Sequence, residues 1–484
     1  MAGIPRVRMR HIWVKRSWSV LLATVLCAVL IGGAGFLAGR RFEYRVVKPE
    51  LARLRVLDQA AQAVPEPPKA ARDSTPAVAV PTPAVAAPTP AVAAPIDPVP
   101  APAASIGSEQ ELQEAIQAMQ RNDGFLLPAR VFLIPGRPLA IYLRTIVPVK
   151  DPEVFEYAVT CTCGFAEFDR RKVALAPGAD EHGHYVLTIK ARTPKGDPVG
   201  RRSIELVLVP RDAGSGRKFQ MLMIGDSLGH ANHFPDEFAR LMHEPDNPTV
   251  EFVGSFQPRG ATIPGEHYGG WQFIYFYTVF NKDIANYHRD RSPFVFDDGT
   301  GKPVFDFNRY LNETLGGARP RNVHIQLGIN DAFSPDPDAP DFSQQLGAII
   351  SHAETLMAGI RGALPDSIIT VGSVIQANAS DRAFIESYPQ APQIQSEWRW
   401  RRVQMELARR MVDHFQAEKL SHVYLVPTHM VLDPIDAYYP HPYMVDAFDF
   451  KIGNAVHPAP LGDRQLAGAI YAVVKAELAG LAQE

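Results

Sequence analysis

The spacing of apolar residues changes character partway along the chain. From about 125 to 215, ARVFLI, LAIYLRTIV, EYAVTCT, HYVLTIKAR and SIELVLVP alternate or run apolar, with Gly, Pro and Asp between them. Short strands punctuated by turn formers predict a small antiparallel β-sandwich over 107–217, led by a brief helix at SEQELQEAIQAMQR. From 218 onward, strand-like runs alternate with helical spacing. The runs are FQMLMI, VEFVGSF, NVHIQLG, IITVGSVI and HVYLVPTHM, and the helical stretches fall at Phe234 to Met242 and at about 344–364, 397–418 and 463–483. This alternation predicts an α/β domain over 218–484, a parallel sheet covered by helices on both faces. In such folds the site lies at the carboxyl ends of the strands.

Residues 1–106 have no core pattern. Trp18 to Gly39 carries no charge over 22 residues, enough to span a bilayer as a helix. We read 1–17 as a basic cytoplasmic segment and 18–39 as an uncleaved anchor. A cleaved signal peptide, the rival reading, has a shorter apolar part followed by small residues. Basic residues flank the run on both sides, so the charge rule does not orient it. A short helical segment is expected over 40–64, interrupted at Pro49. Residues 65–106 are Pro- and Ala-rich, with PTPAVAA repeated in tandem at 81–87 and 88–94. Such a segment forms no core and reads as an extended tether, reaching at most roughly 120 Å at about 3.1 Å per residue.

Composition narrows the function. A net charge of −3 over 484 residues gives no basic field, so nucleic acid is not expected as a partner. Three cysteines make no disulfide framework. Cys161 and Cys163 share one face of a strand, and two thiols do not complete a zinc site, leaving buried thiols or a local redox pair. No phosphate-binding loop or metal-ligand cluster stands out, and no cofactor is expected.

The chemistry concentrates where strands end. Residues 219–234 read FQMLMIGDSLGHANHF: an apolar run, Gly-Asp-Ser, then a helix. A serine at such a turn has an exposed hydroxyl and a free backbone N–H, which suits a nucleophile. It suits a helix N-cap equally well. GEHYGGWQF (265–273) follows the second strand, LGINDAF (327–333) the third, and GNAVHPAPLGDRQLA (453–467) opens the last helix. Cleaving an ester needs a hydroxyl that loses its proton as it attacks, and donors in place for the oxyanion. Ser227 can supply the nucleophile and its own N–H. Gly270 can bring a second N–H close, Asn330 an amide donor, and His457 a base that becomes an acid. Each piece alone reads as a turn or loop residue. Four of them in order, each at a strand end, favour the nucleophile.

These blocks resemble the SGNH hydrolases, or GDSL esterases, over 218–480, and the resemblance implies a flavodoxin-like three-layer domain. The family's first motif stands as IGDSL, implying Ser227 as nucleophile. Its glycine motif stands as GEHYGGW, implying Gly270 in the oxyanion hole. GIND implies Asn330 there too, and NAVHP implies His457 as base. The family's aspartate three residues before that histidine is here Asn454, which supplies no charge to an imidazolium. In a serine protease the corresponding Asp-to-Asn change lowers turnover about 10⁴-fold. Asp433, Asp436, Asp446 and Asp449 lie upstream as substitute orienters, and a Ser–His dyad is the other rescue.

The insertion 292–311 resembles one found in tethered or secreted SGNH enzymes that act on carbohydrates. Tyr268, Trp271, Trp398 and Trp400 offer flat faces for sugar rings, against the simpler reading that most are core or rim aromatics. His230 and His233 are expected in the pocket wall. Tether and resemblance together imply a serine esterase held at the inner membrane with its catalytic domain in the periplasm, removing O-acetyl groups from an acylated glycan. Transfer of the acyl group to a glycan hydroxyl, and an inactive glycan-binding module, are the alternatives, the latter motivated by Asn454.

Overall fold

The computed structural model describes residues 109–121, 124–230, 233–258, 260–281, 291–389, 391, 394, 396–415, 422–438 and 455–482. These residues belong to one unit beginning at Pro98. The expected anchor at 18–39, the segment at 40–64, the tether, Asn454, Asp446 and Asp449 lie outside them. Among the described residues no helix is long and apolar enough to cross a membrane.

The first module holds strands β1 (Arg130–Leu133), β2 (Leu139–Tyr142), β3 (Glu156–Cys161), β4 (Ala166–Phe168), β5 (Lys172–Leu175), β6 (Gly183–Arg192) and β7 (Pro198–Leu208). They form two sheets, ordered β1-β7-β6-β3 and β2-β5-β4. The expected module is present, with two corrections. It is not wholly antiparallel, because β1 runs parallel to β7. LAIYLRTIV is not one strand either, since its second half is the helical turn Leu143–Ile146. The buried Thr145 hydroxyl there donates to the Tyr142 carbonyl at 2.8 Å, a local bond that competes with strand pairing. Cys161 and Cys163 are joined as a disulfide.

The second module begins with β8 (Lys218–Gly225), in which Met221 through Gly225 are all buried, as a central parallel strand requires. With β9 (Thr249–Val253), β10 (Glu266–His267), β13 (Asn322–Gln326), β14 (Ile368–Gly372) and β15 (Val423–Val426) it forms one parallel sheet. β9 and the two-residue β10 pair in turn with the same side of β8, so the order is 2-1-3-4-5, flavodoxin-like as expected. Connections run outward from β8 in both directions. Right-handed crossovers therefore put the helix His233–Met242 on one face, and the helices Phe342–Ala363 and Glu397–Phe415 on the other. The last helix, Pro460–Leu478, packs against His233–Met242. Residues 292–311 build a hairpin of β11 (Val295–Asp297) and β12 (Pro303–Phe305), anchored by the buried ring of Phe294 among Phe276, Phe307 and Tyr310.

Polar contacts lock the two modules together. Arg401, 1% exposed, donates to the carbonyls of Arg144, Val149 (2.7 Å) and Lys150 and pairs with buried Glu397, which also holds Arg144 at 3.0 Å. Burial pulls the Arg401 guanidinium down to about 10, opposed by Glu397. Arg171 of the first module meets Asp433 and Asp436 of the second. Replacing Arg401 by Met would leave Glu397 and three carbonyls short of a donor. We expect Arg401→Met to lower stability by about 3 kcal/mol in denaturant unfolding. An unchanged midpoint would show that the modules do not depend on this contact.

Candidate active site

The strands of the sheet end at one level. Gly225 of β8 is opposite His267 of β10 and Gln326 of β13, Gln326 is opposite Gly372 of β14, and Gly372 opposite Val426 of β15. The residues that follow each strand therefore emerge side by side at the carboxyl edge.

After β8 the chain turns at Asp226, which is fully buried. The Leu228 N–H donates to its carboxyl Oδ1 at 3.0 Å, and the N–H groups of Gly229 and His230 donate to its carbonyl at 3.1 and 3.0 Å. Asp226 is thus the cap of the helical turn Ser227–His230, and Ser227 is its first residue. The capping role weighed for Ser227 belongs to its neighbour. Ser227 is left half-buried at the edge, with a hydroxyl no cap requires.

Beside it, Tyr268 continues from β10 with its N–H donating to the Gly225 carbonyl at 3.0 Å. Tyr268-Gly-Gly-Trp271 then forms a tight turn closed by the Trp271 N–H on the Tyr268 carbonyl at 3.1 Å. Gly270 takes φ +82°, the left-handed conformation of the third residue in a type II turn, where a side chain is strained. The closing bond does not use the Gly270 N–H, and Gly270 is exposed. A Cβ on Gly269 would stand 4.0 Å from that of Ser227, which puts the glycine turn in contact range of the serine.

On the other side, Asn330 follows β13. Its Nδ2 donates to the Trp271 carbonyl at 3.0 Å, and Gln272 Nε2 donates to the Asn330 carbonyl at 3.0 Å. One amide hydrogen fixes the plane of the side chain and leaves the other for a ligand. Three of the expected residues are thereby brought together: Ser227, Gly270 and Asn330.

His457 lies in a loop bonded to the segment that follows β14. Its loop is pinned by Asn378 N–H to the Ala455 carbonyl at 2.8 Å, six residues beyond β14, and by Ala459 N–H to the Ala437 carbonyl at 2.7 Å. His457 is half-buried, and desolvation pulls its imidazole down to about 4. Of the substitute orienters, Asp433 is spoken for. Its carboxylate accepts from Arg171 and from the N–H groups of Ile435 and Asp436, so it joins the modules.

The aromatic candidates divide. Tyr268, Trp271 and Trp400 are buried in the core, with Trp271 against Tyr268 and Phe276 and Trp400 against Phe333. Trp398 alone is half-buried. His230 is exposed at the rim, its Nδ1 3.1 Å from the His267 carbonyl, and His233 is exposed too.

Support under the site was not anticipated. Glu266, fully buried, accepts from Ser255 N–H and Oγ and from the hydroxyls of Tyr268 and Tyr310. It thereby ties the glycine turn to the 292–311 insertion. The His267 ring packs closely against the serine turn: a Cβ on Gly225 would stand 2.6 Å from its Nδ1, and one on Gly229 2.2 Å. Only glycine fits at either position. Among the described residues no group of three or more His, Cys, Asp or Glu is arranged to hold a metal ion.

No family model matches the chain, and no curated protein does. Solved structures do. The family 3 carbohydrate esterase of Clostridium thermocellum is 16% identical with a TM-score of 0.34, covering 55% of this chain and 100% of that one. A carbohydrate acetylesterase family member from Sinorhizobium meliloti is 14% identical with a TM-score of 0.31, over 54% of this chain and 100% of its own. Axe2, an acetylxylan esterase from Geobacillus stearothermophilus, is 14% identical with a TM-score of 0.27, over 54% and 94%.

Beneath the serine and the asparagine lie two buried carboxyls, Asp226 and Asp331, each with an Oδ2 that has no hydrogen-bond partner among the described residues. Burial raises Asp226 to about 8, with the neighbouring Asp331 adding to the rise, and burial raises Asp331 to about 7. An unfolded aspartate ionises near 3.9. Between that value and the raised ones the folded chain binds more protons than the unfolded one. The stabilisation is therefore full below about 4 and lost as pH rises through about 7 to 8. Asp331→Asn should flatten this fall, measured as unfolding midpoints from pH 4 to 9. A fall of the same size in the variant would place its origin elsewhere.

Proposed function

We propose that this chain is a serine ester hydrolase that removes acyl groups, acetyl foremost, from a carbohydrate. The observation that carries the reading is the convergence of Ser227, the Gly270 turn and Asn330 at one sheet edge, with Asn330 tied to the carbonyl of Trp271. Ser227 Oγ attacks the acyl carbonyl as its proton passes to His457. The oxyanion forms against the N–H groups of Ser227 and Gly270 and the free Nδ2 hydrogen of Asn330. When the intermediate collapses, His457 returns the proton to the departing sugar hydroxyl, leaving the acyl group on Ser227. Water, deprotonated by His457, then releases the acid and restores the serine.

We also propose that the enzyme is tethered to the inner membrane and works in the periplasm. The support is the uncharged run 18–39 followed by the Pro- and Ala-rich segment 65–106. A tether of that reach suits a substrate that lies away from the bilayer surface. Recovery of the intact chain with the membrane fraction, and its digestion by protease added outside the inner membrane, would test this. Protection from that protease would reverse the orientation.

Hydrolysis of an aryl acetate tests the chemistry. Ser227→Ala should drop to the uncatalysed rate, and Asn330→Ala should lose about 10²–10³-fold in kcat. A base must be unprotonated to act, and His457 is neutral above about 4. kcat/KM should therefore climb through about pH 4 and stay level towards neutrality. Turnover retained by Ser227→Ala would refute the reading. An acid limb near 6.5 would show a solvated His457.

A further inference from the structure

A cavity of about 690 Å³ lies where the first module meets the helix Glu397–Phe415, and none of Ser227, Gly270, Asn330 or His457 lines it. Its size is that of a small-ligand site. Leu126, Met405 and Val412, a small buried cluster with Ala408, contribute apolar surface. Arg121, Arg202, Arg402, Arg409 and Arg410 supply cationic wall against the carboxylates of Glu406 and Asp413. Positive charge is in excess there, in a chain whose net charge is negative.

The arginines fall into two kinds. Arg402 is held by Asp338 and the Pro337 carbonyl, Arg409 by Glu406 and Asp413, and Arg410 by Glu406 and Ser343. These are fixed in direction and keep further N–H donors. Arg121 and Arg202 are in no ion pair among the described residues. Arg121 is exposed and, among the described residues, reaches Gln117 alone, at 3.5 Å on its own helix. Arg202 donates one Nη2 bond to the Leu127 carbonyl at 3.2 Å, while its Nε is buried with no hydrogen-bond partner among the described residues. The Nη donors left over on these two guanidinia suit a carboxylate, which accepts two parallel N–H bonds.

The aromatic wall adds a second requirement. Trp398 lines the cavity, and Arg401, which does not, lies over its ring at 4.8 Å and holds it in place. An aromatic surface beside fork-shaped cations selects a ring with C–H surface and a carboxylate substituent. The loop after Asn330 leads to the cavity wall at Pro337 and is clamped there by Arg399 and Arg402. Pro337 is seven positions on from Asn330, at most roughly 25 Å at about 3.6 Å per residue. One extended ligand spans such a distance.

We infer that this cavity binds an anionic oligosaccharide whose rings carry carboxylates, holding a uronic acid stretch of the chain while the candidate active site works on another part of it. The choice of a sugar rests on the carbohydrate esterase reading; the selection for carboxylate rests on the arginines alone.

Calorimetric titration of the purified protein with an unacetylated galacturonate pentamer, beside neutral xylopentaose, tests this. The acidic pentamer should bind at least tenfold more tightly, and added salt should weaken it. Arg121→Gln combined with Arg202→Gln should lose about tenfold in affinity, the cost of about one charge-assisted contact, with aryl acetate turnover unchanged. Trp398→Leu should weaken both pentamers, and Ser227→Ala should bind as the unaltered protein does. Equal affinity for the two pentamers, undiminished binding by the double variant, or tighter binding of inorganic tripolyphosphate than of galacturonate would overturn the inference. Selective binding by a protein without esterase turnover would leave the cavity standing and remove the proposed activity.

Discussion

Everything at the candidate site depends on the parallel strands ending in register. Gly225, His267, Gln326, Gly372 and Val426 form one row across the sheet. A slip of one residue in β10 would turn His267 to the opposite face and carry the glycine turn with it. The close seat of the His267 ring on Gly225 and Gly229 makes that slip costly, since the ring fits only where both neighbours lack a Cβ. The serine turn and the glycine turn are therefore positioned by packing beneath them. Asn330 joins through its bond to the Trp271 carbonyl, so all three follow from one register.

The burial that gives this precision also sets the electrostatics. His267 and His324 lie fully buried on the strands flanking β8, their imidazoles held at about 3 by desolvation. Asp226 and Asp331 are held neutral into the range where carboxyls are ordinarily ionised. The site thus rests on a floor of uncharged titratable groups. An oxyanion forming above neutral carboxyls meets less repulsion than it would above carboxylates. The first module contributes in a different way. Through Arg401, Arg144 and Arg171 it is fastened to the helix Glu397–Phe415 and to Asp433, and that junction forms the arginine-lined cavity.

Much of this was legible in the sequence because the signals were long or chemically specific. Five apolar runs each became a strand of the sheet, since parallel strands buried on both faces are nearly continuous in hydrophobicity. Gly270 and Asn330 were found through their motifs, and the left-handed φ of Gly270 gives its physical reason. Other features were hidden. LAIYLRTIV has strand composition throughout, yet its second half is a helical turn in which the Thr145 hydroxyl donates to the Tyr142 carbonyl. Cap and nucleophile stayed rival roles at Ser227 until the four blocks were weighed together, because Ser and Asp both cap helices and only the bonds show that Asp226 is the cap. The role of Asp433 as partner of Arg171 depends on a contact across 262 residues, which no local pattern encodes. The Cys161–Cys163 disulfide was within the sequence's reach as a local redox pair, one of the readings open there.

The central claim is that Ser227 is an activated nucleophile. The direct measurement is reaction of the purified protein with a fluorophosphonate, followed by mass mapping of the adduct. Serine hydroxyls are inert to such reagents unless a base and an oxyanion site act on them. A single phosphonyl group on Ser227, absent after Asn330→Ala or acid treatment that protonates His457, is the result this account predicts. A protein left unlabelled at neutral pH, or labelled at another serine with Ser227 intact, would contradict it.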